Sequence, residues 1–467
     1  MHDLVVRGAA VAGPGTPETA GIGIRDGRIA QLGGDMTGRE EIDASGLLAL
    51  PGGVDAHVHL VYQGLPGLLR RAEALGESEP FWVDDFWTGS LAAIGGGITT
   101  VGNMTFPLPG ESAPAAVARE MAGAAPEAAV DWFLHPVLTD LAAGAGGEIA
   151  ALAAEGHTSV KVFLTHPETA DPAGLRAAAG AARQAGSLTL LHCEAAELLE
   201  RSGRELVAEG RGAVANFPDS RPVAAEAAAV DQAVAVARDT GAPVYIVHLS
   251  SAAALDRCRQ ARAAGLPVHV ETRPLYLHLT SDRFAEPDAG KYVGAPPLRE
   301  RADRDALWAG LAAGDVDTVC SDHAPWLLAD KLDPALDVRT ARQGVADLET
   351  LMPMLFSEGV ATGRISLAQF VDLTSANAAR LFGLYPRKGA IAVGSDADLA
   401  LWDPQQRRTV DGARMRSRAD YSVYDGWQVQ GWPRIVIRRG EVLLADGETL
   451  ARPGQGQWLR RGRSGSG

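Results

Sequence analysis

Past residue 50 the chain alternates short apolar runs, rich in β-branched residues, with longer Ala-rich stretches of helical character. The short runs fall at residues 53–59, 99–104, 130–138, 159–164, 188–193, 244–249, 268–272 and 317–322. Most are apolar throughout, as strands covered on both faces are, and the spacers between them can hold helices. Eight strand–helix units over about 330 residues predict an α/β fold, a (β/α)8 TIM barrel with its active site at the C-terminal strand ends. The flanks, 22–50 and 389–450, read instead as short alternating strands.

Polar residues interrupt the apolar runs where such a barrel would carry its chemistry. Asp55-Ala56-His57-Val58-His59 closes the first run. Strand side chains alternate faces, so both imidazoles can reach one ion while Val58 packs the other way. Lys161 lies in the fourth run, His192 ends the fifth, His248 the sixth, and Asp322 closes the eighth. A lone His-x-His motif is weak evidence. Six such side chains converging on one mouth point to a metal centre.

Lys161 calls for separate reasoning, because an ammonium has three donors and no acceptor. Lysine is scarce: only Lys161, Lys291, Lys331 and Lys388 occur, and every other cationic side chain apart from histidine is arginine. A lysine inside the apolar run Ser159-Val160-Lys161-Val162-Phe163-Leu164 suggests chemistry arginine cannot perform. Burial lowers a lysine pKa, and the neutral amine can add carbon dioxide to give a carbamate that bridges two cations.

Together with Ser321-Asp322-His323, these motifs resemble the amidohydrolase superfamily. More narrowly they are similar to its cyclic amidohydrolases: hydantoinase, dihydropyrimidinase, allantoinase and dihydroorotase. Pro51-Gly52-Gly53-Val54-Asp55, Tyr245-Ile246-Val247-His248-Leu249-Ser250-Ser251, Ala295-Pro296-Pro297-Leu298-Arg299 and Gly431-Trp432-Pro433 extend the likeness nearly end to end. The resemblance implies that His57, His59 and Asp322 bind a buried metal, that His192 and His248 bind a more exposed one, and that carbamylated Lys161 and a hydroxide bridge them. Asp322 would then act as base and acid in turn. Imidazole, carboxylate and carbamate suit two divalent ions, Zn2+ best. The likeness also implies a β-sandwich assembled from both termini. The expected organisation is residues 1–50 and 386–457 for the sandwich, 51–385 for the barrel and 458–467 as a disordered tail.

The substrate is less constrained. An arginine usually follows the second histidine in dihydroorotase, and here Leu60-Val61-Tyr62 follows. Hydantoinases and dihydropyrimidinases typically place a tyrosine five residues after the lysine, a serine before Pro-Pro-Leu-Arg and an asparagine before a downstream glycine. Those positions hold His166, Ala295 and Gln343 here. Allantoinase patterns accommodate the first two changes. The run Glu271-Thr272-Arg273-Pro274-Leu275-Tyr276 departs from all of them, and Arg273 could bind a substrate carboxylate or pair with Glu271 or Asp282. His323 is a further candidate for supporting the metal ligands or the substrate. Residues 60–83 form a long, apolar loop that could lid a hydrophobic substrate or make an oligomer contact. The expected activity is hydrolysis of a cyclic amide, ureide or imide. An acyclic amide such as an N-acyl amino acid is the alternative, and a non-catalytic dihydropyrimidinase relative the minor one.

A net charge of −15 argues against nucleic-acid or anionic-membrane partners. With no membrane-length apolar stretch and no signal-peptide pattern, the expectation is a cytoplasmic homo-oligomer, tetramer or dimer, acting on a small-molecule amide. Cys193, Cys258 and Cys320 are expected to be buried free thiols, and Gly144-Ala145-Gly146-Gly147 a loop before a helix rather than a phosphate loop.

Overall fold

Each apolar run after residue 50 forms a strand: Gly53–Val58, Ile98–Thr105, Asp131–Pro136, Ser159–Phe163, Leu188–His192, Val244–Ile246, Val268–Thr272 and Thr318–Val319. This computed structural model describes residues 1–12, 17–60, 82–141 and 144–464. The first three of these strands make one parallel sheet and the other five a second. Parallel bridges Val137–Lys161 and Val58–His323 join the two sheets at both junctions. The strands are buried on both faces, which is why their sequences carry little alternation.

Helices follow the strands and cover them. Asp85 and Thr88 form a capping box for Phe86–Gly95, Asp171 caps Pro172–Ala185, and Ser251 caps Ala252–Ala263. Of the glycine-rich run at 144–147, expected as a loop before a helix, only Gly144 precedes helix Ala145–Glu155; Ala145, Gly146 and Gly147 form its first turn. The sixth and eighth strands end earlier than their apolar runs. His248 and Asp322 lie just beyond them with φ of 39° and 49°, turns that aim both side chains at the strand ends.

The two termini build one small β-unit together. Strands His2–Val11, Glu18–Arg25, Arg28–Leu32, Gly38–Asp43 and Leu48–Pro51 share a nine-stranded hydrogen-bonded sheet with Leu399–Thr409, Gln428–Arg438, Glu441–Ala445 and Glu448–Thr449. The seam is the antiparallel pairing of Leu48–Pro51 with Leu399–Trp402. Leu4, Val6, Ile22, Ile24, Leu399 and Ile437 pack in its core.

Residues 458–464 correct the expectation of a disordered tail. Trp458 bridges Trp132, Leu459 is fully buried, and Arg460 donates to the carbonyls of Ala154 and Glu155 at the C-terminal end of a helix. That helix end carries unpaired carbonyls and the negative end of its dipole, so a basic segment is held there rather than released. Residues 465–467 lie outside the described residues, as do 61–81 of the long loop. Among the described residues no helix is long and apolar enough to cross a membrane.

Candidate active site

His57, His59 and Asp322 come together at the C-terminal strand ends with ligand atoms all within 4.8 Å of one another. Asp322 Oδ1 lies 2.8 Å from His59 Nε2 and 3.2 Å from His57 Nε2. The His248 ring stands 5.5 Å from that of His57 and 4.4 Å from that of His192. Lys161 enters from the fourth strand, fully buried, its Nζ 4.9 Å above the Phe163 ring.

Burial sets the charge states. It pulls the His59 and His192 imidazoles down to about 4 and His248 well below its ordinary range, so all three are neutral, ligand-ready bases near pH 7. It lowers Lys161 to about 8, against the opposing pull of Glu271 and Asp322. Burial alone would raise Asp322, but Arg273, His57 and His59 outweigh it and hold the carboxyl well below the usual range.

The donor set fits a metal centre. Among the described residues His248 Nδ1 and Lys161 Nζ are buried without a hydrogen-bond partner, and His57 Nε2 has only the Asp322 oxygen at 3.2 Å, outside hydrogen-bond geometry. Leaving such groups unpaired is costly, and cations would satisfy the imidazoles. A protonated Lys161 amine has no lone pair to offer such a cation.

His57, His59, His192, His248 and Asp322 open into a cavity of about 520 Å³. Trp82, Phe106, Phe163 and Trp326 give it an aromatic lining. His166, Ala295 and Gln343 line it as well, so the three positions that depart from the hydantoinase pattern all face the same space.

Over this same span the chain is similar to proteins of known activity. The model for the Amidohydrolase family matches residues 48–443. The chain belongs to the amidohydrolase family. It is 35% identical to the D-hydantoinase of Rhizobium radiobacter over 466 residues, covering 98% of this chain and 99% of that one. It is 37% identical over 444 residues to a D-phenylhydantoinase of Escherichia coli O1:K1, covering 94% of each. The crystal structure of dihydropyrimidinase from Brevibacillus agri superposes with a TM-score of 0.91 at 33% identity, over 98% of this chain and 99% of that one.

Two candidate substrate contacts of this amidohydrolase lie elsewhere than expected. Arg273 is fully buried behind the site and pairs with neither Glu271 nor Asp282. Its Nη1 meets Asp322 Oδ2 at 2.9 Å and its Nε donates to Ser321 O at 3.1 Å. A carboxylate inside the protein is the nearer and better-desolvated partner, so the guanidinium turns inward. His323 is also fully buried. Its Nε2 lies 2.9 Å from Asp84 Oδ2, and its Nδ1 accepts from the amides of Asp347 and Leu348.

The amidohydrolase also uses carboxylates that the sequence did not single out. Glu271 Oε1 lies 2.7 Å from His57 Nδ1, and Glu271 accepts from the His248 amide and the Tyr245 hydroxyl. Glu194 Oε2 lies 2.7 Å from His192 Nε2, while Arg221 Nε donates to Oε1 at 3.0 Å. Burial would raise Glu194, but Arg221 and His192 bring it to about 2. Each carboxylate fixes which ring nitrogen remains for a ligand bond. Asp55, in the opening motif, faces the amides of His57 and Ser321 and so ties the first strand to the eighth. The signal for Glu271 was faint: an acid one residue before the end of strand Val268–Thr272, where His269 and Thr272 are polar as well.

Proposed function

We propose that this amidohydrolase opens a cyclic amide ring of the hydantoin or dihydropyrimidine type bearing an apolar or aromatic substituent. The observation that carries this reading is the convergence of His57, His59, His192, His248 and Asp322 on one aromatic-lined cavity, with Lys161 buried against its Phe163 wall. The relatives' activities, D-hydantoinase, D-phenylhydantoinase and dihydropyrimidinase, support it. The eight parallel strands, bridged at both junctions, are read as a (β/α)8 barrel with the site at its usual end.

His57, His59 and Asp322 would hold one divalent ion and His192 and His248 a second, with carbamylated Lys161 shared between them; zinc suits these donors. When bound, such a pair supplies a nucleophile at neutral pH and polarises the carbonyl. The protein's own residues do the rest. Glu271 and Glu194 orient the imidazoles. Trp82, Phe106, Phe163 and Trp326 exclude water and seat the ring substituent. Of the two described carboxylates lining the cavity, Glu200 pairs with Arg204 at the exposed rim, which leaves Asp322 to take a proton and return it to the leaving nitrogen. His166 lines the cavity where it can donate to the developing oxyanion. The enzyme is expected to work as a homo-oligomer.

The test is turnover of hydantoin, phenylhydantoin, dihydrouracil, allantoin, dihydroorotate, cyclic imides and N-acyl amino acids by zinc-loaded and chelator-stripped enzyme. Metal-dependent opening of a ring compound supports the proposal. Silence on every ring with cleavage of an acyl amino acid supports the second reading, an acyclic substrate, which the replacement of polar contacts by Ala295 and Gln343 favours.

A further inference from the structure

Lys331 is one of the four lysines of this arginine-rich chain, and its ammonium is buried. Nζ donates to three backbone carbonyls, those of Val293 at 2.6 Å, Arg342 at 2.7 Å and Gly344 at 2.7 Å. Three donors meet three acceptors, which satisfies the group without a carboxylate. The carbonyls belong to two separate loops of the cavity wall. Val293 stands two residues before Ala295, and Arg342 and Gly344 bracket Gln343.

Further contacts converge on the same segment. The Gln343 carbonyl accepts from Trp326 Nε1 at 2.9 Å, and the Gly344 amide donates to Val293 O at 3.0 Å. Three successive carbonyls, 342 to 344, are thus each held by a side chain. Gly344 adopts φ of 121°, and a Cβ there would stand 2.4 Å from Ala324 O, so the segment has no slack on its far side.

We infer that Lys331 is the positioning residue of the substrate wall: by clamping both loops it fixes the distance between Ala295 and Gln343, and with it the ring substituents that fit. The inference rests on the ring-opening reading for its kinetic consequence. The side chain touches neither the metal ligands nor the cavity. Arginine cannot replace it, because a planar fork cannot converge on three carbonyls around one point.

The experiment compares zinc-loaded wild type, Lys331→Met and Lys331→Arg on hydantoin and phenylhydantoin, with amide hydrogen exchange of the same proteins. Both variants should raise KM for phenylhydantoin at least about 10-fold, since small misplacements of a binding wall are costly. They should keep kcat within about threefold and narrow the preference between the two rings. Exchange should quicken in residues 290–297 and 340–346 and stay unchanged elsewhere. Unchanged KM and exchange overturn the inference, as does a fall in kcat with exchange rising throughout, which is general loss of stability. Where these variants do not fold, Lys331→Gln, which keeps two donors, gives the same readouts. If wild type opens no ring but local exchange still quickens in Lys331→Met, the ring-opening reading fails and the clamp stands. If wild type is active and local exchange is unchanged, the clamp alone falls.

Discussion

Arg273 Nη1 lies 2.9 Å from Asp322 Oδ2, with both side chains buried. The guanidinium takes one carboxylate oxygen and leaves Oδ1 to His57 and His59. It also grips Ser321 O, so it holds the backbone that turns at Asp322 through a positive φ. Breaking a buried pair by removing one partner typically costs about 3–5 kcal/mol. Arg273→Met should therefore lose about that much stability in chelator-stripped enzyme, and clearly less once zinc is restored, because cations resupply positive charge beside Asp322. Denaturant unfolding of both forms checks this; equal losses would argue against it.

Asp322→Asn keeps the shape of the side chain but removes its ability to accept and return a proton. Turnover should fall at least about 10³-fold with the fold preserved. Circular dichroism and steady-state rates measure the two parts, and activity above a few per cent of wild type would remove Asp322 as the proton carrier.

Lys161 is buried near the neutral His59, His192 and His248, and its carbamate, in the proposed function, has a share in the second ion. Lys161→Ala should lose bound metal and turnover together, and propionate should restore part of both. Metal analysis decides the matter: full metal content in the unrescued variant contradicts a carbamate bridge.

Glu271→Gln weakens the acceptor that orients His57. Metal affinity should drop about 10–100-fold while kcat of the saturated enzyme changes little. Titration against a competing chelator gives the affinity.

His278 offers a pH test remote from the metal ligands. Its ring sits among Trp308, Tyr424 and Trp427, and burial, with Arg364 and Arg304 nearby, pulls it down to about 3. The unfolded chain binds this proton near pH 6.5 and the folded one does not, so stability is full above that pH and declines as pH falls toward 3. His278→Phe should reduce the loss of stability between pH 6.5 and 4 by roughly 1–3 kcal/mol, read from unfolding curves across that range.

The repeated strands were legible because burial on both faces writes itself as mainly apolar sequence; the run at 188–193 contains strand Leu188–His192. The meeting of His57, His59, His192, His248 and Asp322 was legible because each closes an apolar run, although Asp55 and His135 show that polar residues in such runs also tie strands together. Arg273 and His323 were misplaced for one reason. Their direction depends on the turn at Asp322 and on buried partners far away in sequence, Asp84 among them. Composition likewise hid the order of residues 458–464. Arg461 stacks 4.8 Å over Phe133 and donates to Leu134 O, contacts that exist only once the strand Asp131–Pro136 has formed.

The seam between Leu48–Pro51 and Leu399–Trp402 imposes a timetable on biosynthesis. The first five strands leave the ribosome long before their partner is made, and until then Leu48–Pro51 presents an unpaired edge. The nascent chain must keep that edge shielded across some 350 residues of translation, and only the arrival of residue 399 onward seals it. Mutations that weaken early strands should therefore show first as poor yield of soluble protein, before any defect appears in purified enzyme.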